Sequence, residues 1–185
     1  MRLLIDMDGV ITDFNKRNWD AFEAIHRNWK DKYPRPNPIL DFYAEDAYPD
    51  QEFKDAIRKI NSAPLFFLEL SPIEGAIEAL HDLETRYEVF ICTAPMLENP
   101  TCCNDKLEWI DNHLGGDWTR RTIITKDKTV IDGDILIDDK PVITGVTDEP
   151  IWQRIIFDQP YNKNVVGPRL NWKTYNETIE YYGRR

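Results

Sequence analysis

The apolar run MRLLI ends in Asp6, and Asp8 and Gly9 follow directly after Met7. Two carboxylates separated by a single residue can divide one reaction between them, the first attacking or binding a cation while the second gives and takes a proton. Gly9 lets the backbone turn sharply beside them. Further along, Thr93 lies in ICTAP (91–95), Lys128 in TKDKTV (125–130), and Asp138 and Asp139 close DILIDD (134–139). Brought together, Asp6, Asp8, Asp138 and Asp139 would repel one another and raise one another's pKa values. A hard divalent cation held by Asp oxygens and water removes that conflict, and Mg2+ is commonly bound through one or two carboxylates plus substrate phosphate. The set therefore predicts a metal and a phosphate in one site.

Elements must exist that bring these residues together. Five apolar runs, LLID (3–6), YEVFICT (87–93), RTIIT (121–125), DILIDD (134–139) and RIIFD (154–158), are continuous and not alternating, as in strands covered on both faces. Helical patterns fill the gaps from 71 to about 158. SPIE (71–74) reads as a capping box with Ser71 as N-cap, followed by an apolar face of Ile73, Ala76, Ile77, Leu80 and Leu83. From Asn104, Leu107, Ile110 and Leu114 form another face, which Gly115-Gly116 ends. Alternating strands and helices predict an α/β fold with a Rossmann-like parallel sheet and helices on both faces. In such a sheet ligands bind at the carboxyl ends of the strands, where Asp6, Asp8, Thr93, Asp138 and Asp139 lie.

Residues 15–70 break the alternation. They contain a helix with Phe22, Ile25 and Trp29 on one face, the proline-rich YPRPNPI (33–39), the aromatic DFYAEDAYP (41–49), a second helix with Phe53, Ile57 and Ile60, and APLFFLEL (63–70). The expected division is a core of 1–14 and 71–185 with a small helical cap, 15–70, inserted after the first strand. After Gly167 there is only a weak helical signal, with Trp172 and Tyr175 as packing residues.

The whole chain agrees with an enzyme of small anions. Its 185 residues carry Lys+Arg 23 against Asp+Glu 33, a net charge of -10, which disfavours extended nucleic acid and anionic membranes as partners. There is neither an 18-residue apolar stretch nor a leader pattern, so the cytoplasm is the expected location. Cys92, Cys102 and Cys103 form no CxxC pair and read as reduced thiols. The oligomeric state, monomer or homodimer, stays open.

In order and spacing the motifs resemble the haloacid dehalogenase (HAD) superfamily: DxDG on the first strand, Ser/Thr on the second, a lysine before the fourth and an acid pair at the fourth. The strings DMDGV, FICT-P, DKTV, LIDD and FF-EL resemble, within it, the 5′(3′)-deoxyribonucleotidase family over roughly residues 3 to 145. The resemblance implies a Mg2+-dependent phosphatase of deoxyribonucleoside monophosphates. Asp6 would be the nucleophile that becomes an aspartyl phosphate, Asp8 the acid and base, and Thr93 and Lys128 phosphate contacts. The metal would be held by Asp6, the main-chain carbonyl of Asp8 and Asp139, with Asp138 supporting. Gly9, Phe14, Phe42, Tyr43, Ala44, Phe67 and Ala94 would contact substrate. The chain departs from the family pattern at Ala94, where the family often has serine, and at Tyr43, where relatives can carry tryptophan. Two other readings remain at this point: a HAD phosphatase of another small phosphoester, such as a sugar phosphate, and a receiver-like module that holds phosphoaspartate.

Overall fold

A computed structural model describes residues 1–183. Its centre is a six-stranded sheet of β1 (Arg2–Ile5), β2 (Glu88–Thr93), β3 (Thr122–Ile124), β4 (Ile135–Asp138), β5 (Gln153–Phe157) and β6 (Arg169–Leu170), ordered β3-β2-β1-β4-β5-β6. Every pairing is parallel. The helices are α1 (Phe14–Ile25), α2 (Gln51–Asn61), α3 (Ala76–Glu84), α4 (Cys102–Leu114), α5 (Gly116–Thr119) and α6 (Tyr175–Tyr182).

The reason for a continuous apolar run in β1 is visible in its burial. Leu3, Leu4 and Ile5 are all fully buried, Leu3 and Ile5 in the main core and Leu4 in a smaller cluster with Cys92, Leu136 and Trp152. A strand with solvent on neither face has no position for a polar side chain until it ends. Because β1 lies between β2 and β4, the chain leaves it to one side and returns on the other, which opens a crevice at the carboxyl ends. Asp6 stands at that switch point, where its amide bonds the Ile137 carbonyl of β4 at 2.9 Å.

The segment between β1 and α3 packs its aromatic side chains together, continuous with the main core. Phe53 of α2 meets Phe22 and Trp19 of α1 at centroid separations of 5.0 and 5.7 Å, and Tyr33 and Tyr48 close around them. Asp13 caps α1 by accepting from the Lys16 amide at 2.9 Å. The two ends of the insert are stitched side by side, Asp13 N to Ser71 O and Ile73 N to Ile11 O, each at 2.8 Å.

That stitching explains one difference from the sequence reading. Residues 71–73 are held extended against residues 11–13, so Ser71 is no N-cap and α3 starts at Ala76, after Gly75 in the left-handed region at φ 82°. Three other readings change. Helix α1 stops at Ile25, which is exposed, and Trp29 sits in the short turn that follows, stacked on His26. Gly115 ends α4, yet the chain coils again at once as α5. The tail holds β6 as well as α6; Arg169 and Leu170 pair with Ile156 and Phe157 of β5, and two residues are too few for periodicity to reveal.

Candidate active site

The crevice at the switch point is a cleft of about 320 Å³, a size suited to a small ligand. Its floor comes from strand ends and its other wall from the insert. Asp6, Asp8, Gly9, Ala94, Lys128, Asp138 and Asp139 line it from the sheet, and Phe14, Phe42, Tyr43, Ala44 and Phe67 from the insert. Thr93 is the expected site residue that does not reach the cleft wall; it is fully buried one layer behind.

The loop after β1 is a tight turn. Its amides at Ile11 and Thr12 both bond the Met7 carbonyl, at 2.8 and 2.9 Å, and Gly9 N bonds Thr12 O at 2.8 Å. Gly9 has φ 78°, and a Cβ there would overlap the Asp139 carboxylate. Conformation and space therefore both demand glycine. From the segment after β5, Gln159 Nε2 donates to the Gly9 carbonyl at 2.7 Å.

Each acid has different company. Lys128 Nζ lies 2.6 Å from Asp6 Oδ1 and 2.7 Å from Asp138 Oδ2, and the Lys140 amide donates to Asp138 Oδ1 at 2.8 Å. Both Asp138 oxygens are thus spent. Asp139 Oδ2 accepts from the Tyr161 hydroxyl, whereas Asp139 Oδ1 is buried with no partner. Asp8 Oδ2 accepts from Lys106 Nζ at 2.7 Å.

Burial pushes the Asp6 carboxyl up to about 6; Lys128 opposes this, while Asp138 and Asp8 add to it. Burial likewise raises Asp139 well above the usual carboxylate range, with Asp6 and Asp138 as further causes. Burial disfavours the charge on Lys128, but Asp6 and Asp138 outweigh it and hold the ammonium above its ordinary value. Burial also raises the Tyr161 phenol, as does Asp139 beside it.

Asp6, Asp138 and Asp139 offer oxygens that all lie within 4.8 Å of one another. With Asp8, four carboxylates stand against two ammonium groups, Lys106 and Lys128, leaving two negative charges when all are ionised. A divalent cation neutralises that excess, and the orphaned Asp139 Oδ1 is an acceptor in need of one. The acidic cluster is compatible with a metal.

Two participants had not been expected. Lys106 of α4 is fully buried, and its Nζ donates to Asp8, to Thr93 Oγ1 at 2.8 Å and to the Ala94 carbonyl at 2.8 Å. It also lies 5.0 Å from the Phe67 ring centre. Of the face read from sequence, Ile110 and Leu114 are buried and Leu107 is half-buried, while the buried stripe also takes in Cys102, Asp105, Lys106 and Trp109. A lysine at i+4 from Cys102 and i−3 and i−4 from Trp109 and Ile110 is the signal that would have found it. Tyr161, in QPYN after β5, also had a cue, since it follows another strand end. Lys126 and Lys140 also line the cleft.

Comparison with known proteins places the chain in a family. The family model described as 5′ nucleotidase, deoxy (Pyrimidine), cytosolic type C protein matches residues 1–180. The chain belongs to the 5′(3′)-deoxyribonucleotidase family. A Bordetella pertussis protein provisionally named a 5′(3′)-deoxyribonucleotidase is 37% identical over 186 residues, spanning 97% of this chain and 95% of its own length. The human cytosolic-type 5′(3′)-deoxyribonucleotidase is 36% identical over 179 residues, spanning 91% and 85%. Among solved structures, a haloacid dehalogenase-like hydrolase from Streptococcus pneumoniae superposes with TM-score 0.55 at 15% identity, covering 99% of this chain and 97% of its own. A Bacillus subtilis protein provisionally classed as a HAD hydrolase, solved bound to magnesium, gives TM-score 0.56 at 12% identity over 96% and 97%. Those two likenesses concern the fold. As a deoxyribonucleotidase-family member the chain is a phosphoric monoester hydrolase with a HAD-type α/β core. Among the described residues, no helix is long and apolar enough to cross a membrane.

Proposed function

We propose that this nucleotidase hydrolyses pyrimidine deoxyribonucleoside monophosphates through an aspartyl phosphate on Asp6. The observation that carries the mechanism is the separation of Asp6 and Asp8 onto different cations, Lys128 at 2.6 Å and Lys106 at 2.7 Å. Each carboxylate is thereby held and aimed by its own lysine, so that the two can take separate roles, Asp6 as nucleophile and Asp8 as proton carrier. Asp6 attacks phosphorus, the ester P–O bond breaks, and the leaving nucleoside oxygen takes a proton from Asp8. Asp8 then removes a proton from water, whose oxygen attacks phosphorus and returns Asp6 as a free carboxylate.

The carboxylates of Asp6 and Asp139 and the main-chain carbonyl of Asp8 would hold Mg2+, with Asp138 fixed behind them by Lys128 and the Lys140 amide. When bound, Mg2+ draws negative charge from the phosphoryl oxygens and offsets that of the carboxylates. Lys128 holds Asp6 in line and adds a positive charge at the phosphate. Thr93 shares Lys106 with Asp8, so in this reading it acts from behind the cleft wall on the orientation of Asp8.

Residues 15–70 act in this reading as a cap over the core of 1–14 and 71–185, with Phe14, Phe42, Tyr43 and Phe67 enclosing the base and sugar. The names of the family and its human relative, deoxy and pyrimidine among their words, support the substrate class. The cytosolic-type relative supports a cytoplasmic location.

The test is phosphate release from a panel of deoxynucleotides, ribonucleotides and sugar phosphates, with Mg2+ and with EDTA. Pyrimidine deoxynucleotides lead the panel and EDTA abolishes turnover. Asp6→Asn lowers the rate by several orders of magnitude with an unchanged circular dichroism spectrum. A sugar phosphate that leads the panel overturns the substrate assignment, and an Asp6→Asn enzyme keeping more than about a tenth of the rate, a barrier change under roughly 1.4 kcal/mol, overturns the covalent mechanism.

A further inference from the structure

The insert wall of the cleft sets two amides, Asn15 and Asn61, and the Glu45 carboxylate among aromatic and small apolar side chains. Phe14, Phe42, Tyr43, Ala44 and Phe67 suit the faces of a flat ring, and of the two amides Asn61, the last residue of α2, is the more deeply buried. Asn61 is 7% exposed, and its Oδ1 is buried with no hydrogen-bond partner. Its Nδ2 makes no hydrogen bond to the described residues.

The backbone around this amide is firmly held. Asn99, in the loop between β2 and α4, donates from Nδ2 to the Asn61 carbonyl at 2.8 Å and to the Ala63 carbonyl at 2.7 Å. Asn99 is itself buried, and its Oδ1 accepts from the Thr101 amide at 2.9 Å. Asn61 is therefore fixed in place by the core while its own side chain spends neither end on the protein. Buried polar groups are nearly always paired, so an amide left free in a ligand cleft points to a partner that arrives with the ligand.

A nucleotide bound with its phosphate on the carboxylate floor presents to the insert wall its base and not its phosphate. We propose that Asn61 recognises the hydrogen-bonding edge of the base, matching its amide to an adjacent donor and acceptor such as N3–H and O4 of uracil or thymine. This rests on the nucleotidase reading above and adds a specificity-determining residue to it. The aromatic side chains grip any base by its faces, because every base has a π-face. The amide supplies what they lack, a donor and an acceptor side by side, the pattern by which asparagine reads base edges elsewhere. Neither amide atom is tied to the protein, so the group is free to turn over and meet the base in either order.

The experiment compares dTMP, its 2,4-difluorotoluene isostere, which keeps the shape of thymine but pairs poorly, and 2-deoxyribose 5-phosphate. Each is assayed with the wild-type holoenzyme and with Asn61→Leu, and melting temperatures verify the fold of the variant. The wild type shows a KM for dTMP at least about tenfold below that for the isostere, because a site built to hydrogen-bond a ligand rejects an analogue without the groups. Asn61→Leu raises the dTMP KM until the two agree within about twofold, with kcat and the kinetics of 2-deoxyribose 5-phosphate unchanged. A wild type that treats dTMP and the isostere alike overturns the proposal without need of any variant. Equal losses on all three substrates overturn it too, since Asn61 would then be a strut of the insert. If the wild type prefers 2-deoxyribose 5-phosphate to dTMP, the nucleotidase reading falls first, an outcome distinct from the other two.

Discussion

Lys106→Met keeps the length of the side chain but removes the ammonium that Asp8, Thr93 and the Ala94 carbonyl share. Asp8 then loses the partner that fixes its carboxylate toward the cleft, while Lys128 still holds Asp6. The second half of the reaction suffers more than the first, because water must be both positioned and deprotonated there. The expected result is a fall in kcat of about 10²-fold or more, the usual worth of a positioned acid or base. Phosphorylated enzyme should accumulate in intact-mass spectra taken during turnover. Normal turnover without a trapped species would show that Lys106 only fills space beneath Phe67. The geometry of Asp139 belongs to the same scale: one oxygen taken by Tyr161 and one orphaned make it a carboxylate prepared for a cation, in contrast to Asp138 with both oxygens engaged.

At the level of elements, the insert touches the core at the cleft wall. Phe42 meets Tyr161 at a centroid separation of 5.6 Å in an edge-to-face arrangement, and Tyr161 bonds Asp139 in turn. Tyr43 beside it is more than half exposed. Phe42→Ala is expected to raise KM for dUMP by a factor corresponding to about 1 to 3 kcal/mol, the worth of a stacked ring. Turnover of p-nitrophenyl phosphate, which reaches the floor but uses less of the insert, should change much less. The comparison of the two substrates in steady-state assays decides it, and equal losses would make Phe42 a fastener between insert and core. The stitched ends at 11–13 and 71–73 give such an insert a firm base on the core.

For the whole molecule, the carboxylate floor couples stability to pH and to metal. Asp6 is raised from 3.8 to about 6, and Asp139 is raised in the same direction. A group raised on folding favours the folded state below its unfolded pKa and loses that contribution as pH climbs through the folded value. In EDTA, this site's contribution to stability should therefore decline from about pH 4 through pH 6 and beyond. A divalent cation binds the ionised acids, so the gap in melting temperature between Mg2+ and EDTA should widen over the same interval. A gap independent of pH would mean that metal does not bind these acids. The same floor separates what was legible in the sequence from what was not. The sheet was legible because strands buried on both faces write unbroken apolar runs, and the acids were legible because those runs stop at the ligand-binding edge. DMDG, DKTV and LIDD were local strings in order, and the family followed from them. The start of α3, the exposure of Ile25 and the pairing of β6 were not legible, since each depends on a partner far along the chain. Lys106 is separated from Asp8 by 98 positions, and Asn61 from Asn99 by 38. Sequence by itself determined which residues end the strands and hence the chemistry they share. Only tertiary structure decided which cation serves which carboxylate and which amide is left unpaired, because burial and hydrogen-bond satisfaction are properties of neighbours in space.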